Sequence, residues 1–130
     1  MIDGVRAVLD ASAVLALLQE EPGADEVESI LDGSVLSSVN LAEVLQKSTQ
    51  HGIDTEGLEY DLEALGVEIR AFDVVQARAT AAVWKAAPRA ALSLGDQACL
   101  ALASGLDGVA VTADRRWASL RLGVDVRVVR

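Results

Sequence analysis

Five short aliphatic runs punctuate the chain: "VRAVL" (5–9), "SVLSS" (34–38), "VEIRAF" (67–72), "GVAVTA" (108–113) and "VDVRVVR" (124–130). Between them lie longer stretches with helical spacing, and this alternation is the strongest constraint on the fold. Strands that return to one sheet through helices pair in parallel, and a parallel sheet needs cover on both faces. Helices are expected over 12–20, 24–32, 41–51, 55–65, 74–87 and 96–104. In the fourth, Leu58, Leu62 and Leu65 share a face; Gly52, Pro88 and Gly105 stand where the third, fifth and sixth should end. "VRAVL" and "GVAVTA" read as interior strands, whereas "VDVRVVR" alternates and reads as an edge. The fold class is therefore α/β with a mostly parallel central sheet. There is no internal repeat and no linker, so residues 1–130 are expected to form one domain with a sizeable core.

No stretch approaches the ~20 apolar residues that span a bilayer, and the start "MIDGVRAVLD" has no basic leader. The expectation is a soluble, cytoplasmic chain with no membrane partner. Cys99 is the single cysteine, which leaves no internal disulfide and reads as a small buried hydrophobe. His51, beside Gly52 at a helix end, reads as a cap or surface residue. The net charge of −9 runs against the basic footprint usual for nucleic-acid binding. Six acids crowd residues 20–32 and six more residues 54–68, however, where solvated helix faces account for them.

Four carboxylates belong to a different pattern. Asp10 in "VLDASAVLALL" and Asp114 in "VTADRRWA" each follow a strand and precede a helix; Glu43 in "SSVNLAEV" and Asp96 in "LSLGDQACLALA" lie near helix starts. Each has a local explanation: Asp10 and Asp114 as N-caps, Asn40 with Glu43 and Ser93 with Asp96 as capping boxes. Jointly they say more. Helices following parallel strands start along one edge of the sheet, where ligand crevices open, so at least three of the four should share a crevice. Two carboxylates ~4 Å apart repel by about 4 kcal/mol at an effective dielectric of 20, and a cluster needs shared protons or a cation. All-oxygen ligands suit Mg²⁺ or Mn²⁺, while the solitary His51 and Cys99 serve zinc poorly. With no Gly-rich phosphate loop and no Ser/His/Asp set, the residues point to metal-dependent phosphoester hydrolysis. Asp73 also follows a strand and precedes a helix, but reads as an N-cap alone.

At these four motifs the sequence resembles PIN-domain ribonuclease toxins of the VapC type, and the resemblance runs over nearly the whole chain. It implies a three-layer α/β/α sandwich and a Mg²⁺- or Mn²⁺-dependent endoribonuclease, the toxin of a toxin–antitoxin pair. The family's acidic set falls on Asp10, Glu43, Asp96 and Asp114, with Ser12 and Thr112 at hydroxyl positions near the metal. Asn40 matches a polar position before the motif's Glu, although a helix cap is its first reading. Gln97 departs from the pattern, standing where part of the family has a basic residue. The implied partners are an RNA substrate, a second copy of the chain in a homodimer, and an antitoxin that places an arginine among the carboxylates. Arg115 and Arg116 are candidate phosphate contacts, with Arg89 a weaker one. Trp84 and Trp117, among apolar neighbours, suit core or dimer packing better than base stacking. Two rivals are kept open: a PIN-fold binding or assembly module, and a DNA-directed nuclease of the same fold.

Overall fold

A computed structural model describes residues 1–130. In chain order the elements are β1 (Ala7–Leu9), α1 (Ala11–Leu18), α2 (Ala24–Ile30), β2 (Val35–Ser37), α3 (Ser38–Gln50), α4 (Leu58–Ala64), β3 (Glu68–Arg70), α5 (Val74–Ala86), α6 (Leu94–Gly105), β4 (Val109–Thr112), a 3-10 helix (Arg115–Ser119) and β5 (Asp125–Val128). The strands form one fully parallel sheet in the order β3-β2-β1-β4-β5. The expected interior and edge strands fall where the sequence puts them: β1 is central, β4 interior, and β5 lies at an edge.

Residue alternation along the strands divides the core into two layers. Ala7, Leu9, Leu36 and Val111 face α1 and α2, joined by Val14, Val27, Ile30, Val44 from α3 and Leu62 from α4. Val8, Val35 and Ala110 face the other way, onto Cys99, Leu100, Leu102 and Ala103 of α6, with Trp117 and the partly buried Val83 of α5. The result is a three-layer α/β/α sandwich. Each fully buried Leu or Val contributes about 2 kcal/mol of apolar transfer. Small residues bring the layers close: Ala11, Ala13 and Ala16 are the buried alanines of α1. Gly108 lets β4 lie beside β1, since a Cβ there would come within 2.6 Å of the Arg6 carbonyl oxygen.

Most helix boundaries differ from expectation by a few residues, and three of the differences are instructive. α3 begins at Ser38, not at 41, because Ser37 ends β2 and also caps the helix, its hydroxyl accepting from the Val39 N–H. Gly105 lies inside α6, and Leu106 makes the C-cap. α4 is shorter than the expected 55–65, and Leu65 serves as its C-cap. No helix is long and apolar enough to cross a membrane.

Chain direction through the sheet fixes where a site can form. From β1 the chain builds outward through β2 to β3, then returns to place β4 and β5 on the opposite side of β1. The order therefore switches between β1 and β4, and a crevice opens beyond their carboxyl ends.

Candidate active site

Asp10 is the first residue past β1. It caps α1 by accepting from the Ala13 N–H at 2.8 Å, yet its side chain does more than cap. Thr112, at the end of β4, donates its hydroxyl to Asp10 Oδ2 at 2.6 Å, and Ser12 Oγ lies 2.7 and 2.9 Å from the two carboxylate oxygens. The same hydroxyls accept backbone protons, Ser12 from Ala113 and Thr112 from Asp114. Two strands and the loop after β4 are thus tied through one carboxylate that is only 4% exposed. Burial pushes the Asp10 carboxyl up to about 6; the donors from Thr112, Ala13 and Ser12 oppose the shift, and the charge of Asp96 adds to it.

Glu43 lies in the second turn of α3, held by Asn40. The Asn40 side-chain N–H₂ donates to Glu43 Oε1 at 2.9 Å and to the Gly95 carbonyl at 3.0 Å, joining α3 to the start of α6. This corrects the capping role expected of Asn40: Ser37 is the cap, and Asn40, fully buried inside the helix, reaches across to a neighbour. Its Oδ1 is buried without a partner. Gly95 completes the arrangement by lacking a side chain, because a Cβ there would overlap Glu43 Oε1 and stand 2.7 Å from Oε2.

Asp96 and Ser93 form the expected capping box: the Ser93 hydroxyl accepts from the Asp96 N–H, and Asp96 Oδ2 accepts from the Ser93 N–H. Only one carboxylate oxygen is engaged in the cap. Asp114 caps the 3-10 helix through the Arg116 N–H and is also gripped by the Arg116 guanidinium, which holds its carboxyl below the usual range. A crevice of about 310 Å³ gathers all four acids, with Ser12, Ser93, Lys47 and Arg116 also on its walls. Cys99 lies directly beneath: burial, then the charges of Asp10, Asp96 and Glu43, push its thiol well up. It is fully buried and free, as expected.

Other residues singled out in the sequence are placed elsewhere. Arg115 turns to the Arg130 carbonyl, and neither it nor Arg89 lines the crevice. Gln97 is buried and donates to the Leu92 carbonyl, so it braces the loop before α6. Asp73 is an N-cap, accepting from Gln76, and His51 caps the C-terminus of α3 against the Lys47 carbonyl. Trp117 is core, whereas Trp84 is 56% exposed. Sequence reading missed Lys47 and Gly95. Lys47 follows Glu43 by one helical turn, a spacing that was legible; Gly95 precedes Asp96 and carried no local signal.

The donor set consists of carboxylate and hydroxyl oxygens, which fits a hard divalent cation and no thiophilic one. In their present rotamers no three acids converge at ligand distance, and Asp114 is occupied by Arg116.

The family model of the PIN domain matches residues 7–122. The chain belongs to the PIN domain family. No curated protein matches it by sequence. Among solved structures, this PIN domain is similar to a chain of a toxin–antitoxin complex from Klebsiella pneumoniae, at 17% identity and TM-score 0.70, over 88% of this chain and 92% of that one. It is also similar to a chain of VapBC2 from Rickettsia felis bound to a promoter DNA fragment, at 16% identity and TM-score 0.66, over 94% and 97%. A third likeness is PAE2754 from Pyrobaculum aerophilum, at 20% identity and TM-score 0.60, over 94% and 83%. These likenesses establish a shared fold, and PIN domains are in general nucleases.

Two outcomes follow from this geometry. Because folded Asp10 binds its proton more tightly than the unfolded chain does, its contribution to stability is greatest below pH ~3.8. That contribution falls as pH rises toward about 6 and stays low above it. The full swing is at most about 3 kcal/mol, and chemical denaturation of metal-free parent and Asp10→Asn between pH 4 and 7 should show the parent losing this component relative to the variant. Gly95→Ala should leave stability within ~1 kcal/mol of the parent, since a flexible carboxylate can swing aside. It should nevertheless shrink the rise in melting temperature produced by Mn²⁺, because Glu43 is driven off Asn40.

Proposed function

We propose that this PIN domain is a Mg²⁺- or Mn²⁺-dependent endoribonuclease acting as the toxin of a toxin–antitoxin pair. The observation that carries the reading is the meeting of Asp10, Glu43, Asp96 and Asp114 in one crevice at the β1/β4 switch point. Local capping accounts for Asp10, Asp96 and Asp114 one at a time but not for their convergence with Glu43 on one crevice, where Asp10 has its proton affinity raised by burial and by the charge of Asp96.

Asp10, Glu43, Asp96 and Asp114 would hold the cation. When bound, such an ion neutralises phosphate charge and acidifies water for in-line attack. The chain's own residues set the geometry. Thr112 and Ser12 orient Asp10 through its two carboxylate oxygens at the crevice wall. Asn40 fixes Glu43, and the unengaged oxygen of Asp96 is available from the α6 cap. Lys47 and Arg116 on the crevice wall offset the negative field where a phosphodiester must approach.

Two partners fit the surface. Val74, Val75, Trp84 and Leu94 are exposed apolar residues, and Trp84 and Leu94 line a groove of about 370 Å³ on α5 and the start of α6. That patch would bury against a second copy, placing the copy beside the Ser93–Asp96 end of the crevice. On the opposite side, a groove of about 860 Å³ lined by Glu20, Glu21, Asp25, Glu26 and Glu28 suits a basic antitoxin segment.

Cleavage of a mixed tRNA and rRNA pool, with Mg²⁺ and with chelator, tests the central reading. Discrete fragments are expected from the parent with metal, and at least about 100-fold less cleavage from Asp10→Asn and Asp96→Asn, both checked to be folded at the assay temperature. Equal cleavage by parent and variants would overturn it, and preference for DNA in competition would reassign the substrate. For the dimer, Trp84→Glu should shift light-scattering mass from dimer to monomer without lowering the melting temperature by more than a few degrees.

A further inference from the structure

One cation is already inside the crevice. The Arg116 guanidinium forks the Asp114 carboxylate, with Nε 3.1 Å from both oxygens and Nη2 2.7 Å from Oδ2, while its backbone N–H donates to Oδ1 at 3.0 Å. Both Asp114 oxygens are therefore engaged, and the three other acids of the crevice have no such partner. The Arg116 side chain is itself 76% exposed, so nothing packs it in place and the fork can open without disturbing the core.

We infer that Arg116 is an internal placeholder for the divalent cation at Asp114, released from the carboxylate when the cation is seated. This rests on the proposed metal-dependent reading and adds to it a control on when the site loads. Asp114 presents the same two oxygens to a guanidinium or to an ion, and the fork together with the Arg116 backbone N–H engages both of them. The pair is two residues apart, and the Asp114 cap on the Arg116 N–H keeps the guanidinium beside the carboxylate. Arg115 is turned toward Arg130 and does not take part.

The placeholder has a second consequence. A guanidinium freed from Asp114 still lines the crevice, where its planar donors match a phosphate. Phosphate that captures Arg116 removes the competitor at Asp114, and by linkage the cation then assists phosphate binding by the same factor. Loading of this corner of the site is tied to the presence of the backbone to be cut, and the empty site keeps its charge partly compensated.

Calorimetric titration of the full chain with Mn²⁺ alone tests the inference, comparing the parent with Arg116→Gln, Asp114→Asn and the double variant. Asparagine retains the ability to cap, and Arg116 is too exposed for its loss to unfold the chain. Arg116→Gln should bind Mn²⁺ about five-fold more tightly, the scale of an exposed ion pair. The gain should vanish when Arg116→Gln is combined with Asp114→Asn, since the arginine acts through that carboxylate. Equal or weaker affinity in Arg116→Gln would overturn the placeholder while leaving the metal reading intact. A gain that persists in the double variant, relative to Asp114→Asn alone, would also overturn it, reducing Arg116 to a diffuse charge. Absence of Mn²⁺ binding in every protein would overturn the metal reading, and the placeholder with it.

Discussion

The hydrogen bond from Thr112 to Asp10 carries much of this structure's logic. It joins the ends of the two strands between which the sheet changes direction, and it does so through a carboxylate withdrawn from water. An ionised group in that position is costly without compensation. Three donors from Thr112, Ser12 and Ala13 supply part of it, and the raised proton affinity of Asp10 measures what is still lacking. The loop after β4 is shaped around the same carboxylate, since Ser12 and Thr112 also accept the backbone protons of Ala113 and Asp114. The position of Asp114 thus depends on Asp10 through two hydroxyls.

A parallel arrangement exists on the other wall. Asn40 links Glu43 to the backbone at Gly95, immediately before Asp96, so the acids of α3 and α6 are placed relative to one another by a single amide. Each wall couples a carboxylate to the backbone beside the next one. The crevice is consequently a set of two braced pairs, Asp10 with Asp114 and Glu43 with Asp96. Burial raises the Cys99 thiol, and the charges of Asp10, Asp96 and Glu43 add to the shift.

Much of this was legible in the sequence. Five apolar runs interrupted by helical spacing specify a covered parallel sheet, and each of the four acids carries a local signature at a helix start. The capping roles of Asp10, Asp73 and Asp96 were readable because capping depends only on residues two or three apart. The less legible features act across the fold. Asn40 looks like a cap because its true partner, Gly95, is 55 residues away. Gly95 matters only for what it leaves out, which no local pattern records. Arg115 and Arg116 are indistinguishable in sequence, yet one grips Asp114 and the other faces the C-terminal residue, a difference set by the turn of the 3-10 helix. The early start of α3 follows from Ser37 serving both strand and helix, an economy that spacing rules divide between two elements.

The two outer strands differ from the rest of the sheet in a way that bears on assembly. β3 presents Glu68, paired with both Arg70 and Arg6, and β5 presents Arg127 bonded to Glu26 of α2 at 2.7 Å. Open strand edges recruit further strands unless charge and side-chain cover prevent it. Here both margins carry charged side chains held in arginine–glutamate pairs, the kind of residue that blunts an edge. Growth of the sheet by strand addition is disfavoured at either end, and the apolar side chains left uncovered lie instead on the helical face of α5.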